Sequence, residues 1–173
     1  MRLALVFASL FITACGPLTF TTEMKGDATI AGSPFGQLLS AFPQAASFAS
    51  IDFSQNQDFK NNNTSRDKVK TTKVTALSLK IVSPNSQDFG FLDSLEFSVK
   101  AGDKTQKIAT KTDIASLGLA APNPTLNLDL IDADLGEYVR SSGFSIITSG
   151  AGRKPAQDTQ IEINVKFLVG VGL

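Results

Sequence analysis

The sequence contains no histidine and no tryptophan, one tyrosine (Tyr138) and one cysteine (Cys15) among its 173 residues. The missing histidine excludes the most. Imidazole is the usual general base near neutral pH and the commonest metal ligand. Without it, Ser-His-Asp and Cys-His nucleophiles have no base, and the usual zinc sites lose a ligand type. A lone cysteine forms no intrachain disulfide, so stability rests on packing. An excess of charge of one sign is also lacking, because 16 Lys and Arg balance 16 Asp and Glu. That argues against a nucleic-acid partner, which calls for a strongly basic face. No apolar run approaches the roughly 20 residues of a spanning helix. The run at residues 3–12 is stopped by Gly16 and Pro17.

That run follows a short positive start, Met1 and Arg2, and precedes the small residues Thr13 and Ala14. A charged start, an apolar stretch and small residues at a cleavage point predict a secretory signal peptide over residues 1–14. Ile12, Thr13, Ala14 and Cys15 resemble the bacterial lipobox. The resemblance implies cleavage after Ala14, a diacylglyceryl thioether on the Cys15 sulfur and an acyl chain on its new amino terminus. Two such lipid signals make a stable anchor. The partner so implied is a membrane, reached through acyl chains on Cys15 (palmitate-type lipidation). Gly16, where aspartate would favour inner-membrane retention, points to the outer membrane.

The rest of the chain is dominated by a two-residue period. "LTFTTEM" sets Leu18, Phe20, Thr22 and Met24 on one face of a first strand. From Val74 onward "TALSLKIVS", "SLEFSVK", "LNLDL", "GFSIIT" and "QIEINVKFLVG" each place their apolar residues on one face. In "LNLDL" these are Leu126, Leu128 and Leu130. Turn-rich stretches such as "SPNSQD", "AGDKT" and "APNP" separate them. One-faced strands at this spacing predict an all-β fold: a single antiparallel β-sandwich, immunoglobulin-like, with one or two short helices. The helical candidates are a turn at residues 37–41, turns within 54–69 capped by Thr64 or Ser65, and a capping helix at 132–140. Residues 48–53 are read as a short strand. The expected division is 1–14 signal peptide, 15–66 lipidated N-terminus with first strand and linker, and 67–173 sandwich core.

From "FKNNNTSRDKVKTTKVTALSLKIVSPNSQDFGFLDSLEFSV" to "DADLGEYVRSSGFSI" the chain looks like small exported bacterial lipoproteins of unassigned function. It shares their Asn-rich approach, Ser-Pro strand end and Phe-Leu turn. The likeness covers roughly residues 59–169, and "AGDKTQKIAT" departs from it. It implies export and a β-sandwich, and it carries over no functional site. A looser likeness is to late-embryogenesis-abundant-like sandwiches, and a shared fold does not assign function.

The clustered carboxylates Asp129, Asp132, Asp134 and Glu137 are the one candidate metal site, for calcium, which takes six to eight oxygens. "DADLGE" departs from the helix-loop-helix calcium spacing, and Asp132 and Asp134 also suit the start of a short helix. No metal or other cofactor is expected. Arg66, Lys68, Lys70 and Lys73 form a basic stretch interrupted by Asp67, read as a solvated face. "FLVGVGL" reads as a buried last strand, or else as an apolar edge open to a partner strand. The sequence thus predicts a non-enzymatic, lipid-anchored bacterial envelope protein with a structural or protein-interaction role and an envelope protein as partner. A glycan- or lipid-binding module is the alternative.

Overall fold

In the computed structural model, residues 18–172 are described. The expected signal peptide and Cys15 lie outside them. Eight strands form the fold: β1 (Leu18–Ile30), β2 (Val69–Ser83), β3 (Leu92–Ala101), β4 (Lys104–Lys111), β5 (Thr125–Asn127), β6 (Asp129–Leu130), β7 (Ser145–Gly152) and β8 (Thr159–Val171). Two five-residue helices, α1 (Gln57–Asn61) and α2 (Gly136–Arg140), complete it. One sheet has the order β1-β8-β2-β5 and the other β6-β4-β3-β7, and every pairing is antiparallel.

The two-residue period explains the strands. In β8, Ile161, Ile163, Val165, Phe167 and Val169 are all fully buried, while Gln160, Lys166 and Leu168 face out. Burying each such side chain contributes about 1.5–3 kcal/mol. β8 lies between β1 and β2, so "FLVGVGL" is an interior strand and offers no open edge. β1 runs beside it in unbroken register from Leu18↔Val171 to Ile30↔Thr159. This pairing departs from the immunoglobulin arrangement, in which the first and last strands lie in opposite sheets.

"LNLDL" departs from a single one-faced strand. Its first half pairs with β2 and its second half with β4, so the chain passes from one sheet to the other at Leu128. Leu126 is buried and Leu130 is 40% exposed. The switch closes one side of the sandwich. The other side is closed by residues 31–68, which cross from the end of β1 to the start of β2. This crossover makes single antiparallel bridges beside β7, Leu38↔Arg153 and Ile51↔Phe144. It thus runs along the side of β7 that β3 leaves free.

The crossover is neither helical at 37–41 nor a strand at 48–53. A turn closes at Ser33–Gly36, and 3-10 turns form at Ala46–Phe48 and Phe53–Gln55. These turns send Phe48 and Phe53 inward on both sides of Ile51. α1 starts at Asn56, whose side chain accepts from the backbone of Asp58 and Phe59. Ser65 precedes a further 3-10 turn, Arg66–Lys68, without a side-chain cap. Phe20, Phe59, Phe53, Phe144 and Phe167 stack in sequence, with centroids 5.0–6.3 Å apart and mostly edge to face. This relay joins β1, the crossover, β7 and β8 in one core, to which residues on both sides of position 66 contribute. Among the described residues no helix is long and apolar enough to cross a membrane.

Candidate functional site

The four clustered acids are not brought to one site. Asp129 pairs with Lys111 at 3.0 Å, Asp132 with Lys73 at 2.7 Å and Glu137 with Lys104 at 2.6 Å. Asp134 accepts from two backbone amides, Thr72 and Gly136, each at 2.9 Å. It therefore ties the start of α2 to β2, where the spacing had suggested Asp132 as the cap. The strand switch at Leu128 sends Asp129 to β4, and the turn into α2 splays the other three. Among the described residues no three His, Cys, Asp or Glu side chains gather as a metal would need. The hydrogen bond and charge of Lys104 hold Glu137 below its ordinary value of 4.5. Asp132 likewise holds Lys73 above 10.5. These are solvated ion pairs. In the basic stretch, Arg66 meets Asp67 at 3.9 Å and Lys73 meets Asp132.

A more distinctive feature lies at 33–38, where the sequence predicts no more than the start of a helical turn at 37–41. In "SPFGQL", Gly36 donates to Ser33 O across a tight turn and takes φ +58°. Pro34 suits the second position of that turn. Phe35 sits at the tip and is 88% exposed, and Leu38 beside it is 73% exposed. The turn is braced against the β7–β8 connection. Ser33 N donates to Pro155 O at 2.7 Å, Lys154 N to Gln37 O at 2.7 Å and Leu39 N to Gly152 O at 3.0 Å. Arg153 Nη1 donates to Gly36 O at 3.0 Å, and Gly32 N to Asp158 Oδ1 at 2.8 Å. At Gly32 a Cβ would stand 2.4 Å from the backbone of Gln157, so the two segments approach as closely as glycine allows. An aromatic ring is thus held in water by a rigid support. The legible signal was Pro-Phe-Gly between polar residues, with no periodicity to bury the Phe.

Two further surfaces flank the sandwich. The backbone edge of β7 is sealed by Gln44, whose side-chain amide donates to Thr148 O and accepts from Thr148 N at 2.9 Å, as a neighbouring strand would. On the same side of the sandwich, a shallow cleft opens between β1 and the crossover, lined by Met24, Lys25, Ser47, Ile51 and Asp52. The Ser54 amide holds Asp52 below its ordinary 3.8. On the outer face of the second sheet, Ser94, Glu96, Thr110 and Ser149 line a hollow, and Lys107 holds Glu96. Neither surface pairs two carboxylates across a gap.

No protein-family model matches the chain, and no curated protein does either. Among solved structures it is similar to the decameric BFDV capsid protein, with a TM-score of 0.44 and 7% identity over 91% of this chain and 100% of that one. It is also similar to a mud crab tombus-like virus chain (TM-score 0.34, 9% identity, 100% of this chain and 89% of that one). A third is a cocksfoot mottle virus chain (TM-score 0.29, 7% identity, 100% and 93%). These findings correct the envelope reading, because the structures it resembles are viral proteins and not lipid-anchored envelope proteins. The expected envelope role, with its glycan- or lipid-binding alternative, is withdrawn. So are the membrane partner through acyl chains on Cys15, the envelope protein partner, the outer-membrane location and the lipoprotein and palmitate character. At these TM-scores the likeness carries nothing further, and the fold rests on the strand order above.

Proposed function

We propose that the chain is a non-catalytic structural module that contacts another protein through the Phe35 turn. One observation carries this reading: Phe35 and Leu38 are held in solvent on a turn braced by its neighbours' hydrogen bonds. Aromatic anchors on rigid supports dominate binding energies, because little freedom is lost when they dock. Arg153 and Lys154 flank the turn, which favours a partner pocket that is apolar at its floor and acidic at its rim. The chemistry available elsewhere supports a role without catalysis. The four clustered acids are spent on lysines or backbone amides, and the sequence holds no imidazole.

The test replaces Phe35 with a photocrosslinking phenylalanine in the full chain, in its native host, with the same probe at exposed Lys80 as control. A protein adduct specific to position 35, and lost when Leu38 is also changed to Ser, supports the assignment. Equal adducts from both positions, or none from position 35, overturn it.

A further inference from the structure

Four strands end a sheet, and three of them are short or have their backbone edge sealed, while the crossover packs against β1 at Gly26, where a Cβ would meet Ser47 and Ala45. β5 and β6 have three and two residues, and β7 is sealed by Gln44 and the crossover. β1 differs. It has 13 residues and takes β8 on one side. Among the described residues its other backbone edge receives one hydrogen bond, from Ser47 Oγ to Lys25 O at 3.0 Å. A long row of unpaired backbone groups is a template for another strand. The Ser47 bond also fixes which residues face outward. Lys25 O points away from β8, so by the two-residue alternation of an antiparallel pair the amides and carbonyls of Thr19, Thr21, Glu23, Asp27 and Thr29 do too.

We propose that β1 pairs with β1 of a second copy, antiparallel about a two-fold axis at Met24, so that two four-stranded sheets become one of eight. The register follows from the strand itself. It pairs the whole of Leu18–Ile30, with Leu18 opposite the second copy's Ile30. On the outer face Glu23 meets the second copy's Lys25, and Lys25 meets its Glu23. The pair is thus charge-complementary twice over, and opposite charges directly across a ladder stabilise it. An axis at Lys25 would set Lys25 on Lys25 and Glu23 on Asp27. An axis at Gly26 would leave residues 18–21 without partners.

On the inner face, half-buried Met24 meets its own copy at the axis, and Leu18, 42% exposed, gains an apolar neighbour. The Lys25 carbonyl keeps a second lone pair for the new strand while it holds Ser47. Equal numbers of cationic and anionic side chains leave no net repulsion between copies. The interface is isologous and closes at two copies. It is independent of the Phe35 turn, which lies beside β7, so a failure here leaves the proposed function standing and the converse also holds.

Sedimentation velocity on the full chain at rising micromolar concentration tests the pairing. The expected result is a monomer that becomes a dimer. Thr21→Pro removes an outward amide and leaves the β8 ladder intact, as proline does on edge strands. It should weaken dimerisation at least about tenfold, the scale of one well-placed contact. Glu23→Lys alone and Lys25→Glu alone should each stay monomeric, and their equimolar mixture should dimerise, because each then meets its opposite charge. Three results overturn the proposal: a wild-type chain that stays monomeric throughout, a folded Thr21→Pro variant that dimerises like wild type, or a mixture no more associated than its components.

Discussion

Phe53 sits at the middle of the aromatic relay, 5.4 Å from Phe59 and 5.0 Å from Phe144. It is also where the crossover is pinned to the core. Phe53→Ala should cost about 3–5 kcal/mol, the range for a buried aromatic truncated to a methyl, read as a fall in the urea midpoint at constant slope. Phe35→Ser, on the solvent side of the same crossover, should change stability by less than about 0.5 kcal/mol. The Glu137–Lys104 pair makes a residue-scale prediction in pH. Glu137 is held below its ordinary 4.5, so its contribution is present above that value and is lost as pH falls through the lowered one. Lys104 is held above its ordinary 10.5, so its contribution is present below that value and fades as pH rises through the raised one. Lys104→Gln should move the Glu137 carboxyl midpoint up toward 4.5, followed by carbon-13 chemical shift. An unmoved midpoint would mean that the pair does not form in solution.

At the scale of elements, the sequence was readable where one face of a strand meets the core and the other meets water. β8 and β2 follow that rule closely, with Leu77, Leu79 and Ile81 buried as their spacing predicted. α2 was readable in part: the spacing predicted a helix over 132–140, and only its last five residues, Gly136–Arg140, form one, with Leu135 and Val139 buried. Two things were not. The sheet switch at Leu128 leaves the alternation of "LNLDL" intact while changing the partner, and periodicity is blind to partners. The crossover buries Phe42, Phe48, Phe53 and Phe59 at spacings of six, five and six residues, which match neither strand nor helix. The acids looked like one cluster because closeness in sequence hides their partners: Asp129 lies in β6 against Lys111, and the turn into α2 splays Asp132, Asp134 and Glu137 onto separate groups. The seal on β7 was equally invisible, since one glutamine does the work of a strand. Gln44→Ala would leave the buried amide and carbonyl of Thr148 without partners and should cost about 1–3 kcal/mol. A urea midpoint unchanged from wild type would show that another group takes its place. Gly152→Ala should also destabilise, because φ is +149° there and a Cβ would stand 2.4 Å from Phe91 O.

At the scale of the whole molecule, the sandwich is closed on both sides and has an aromatic core running through it. What remains for function is surface: a braced Phe35 turn at one corner and an open β1 edge at another. The measurement that tests this division most directly is residue-resolved amide exchange of the full chain by NMR, in dilute and in concentrated solution. In dilute solution the amide of Thr148 should be protected although β7 ends its sheet, because Gln44 holds it. The outward amides of Thr21, Glu23 and Lys25 should exchange as fast as those of loops, then slow on concentration. A fast Thr148 amide, or β1 amides already protected in dilute solution, would contradict the account.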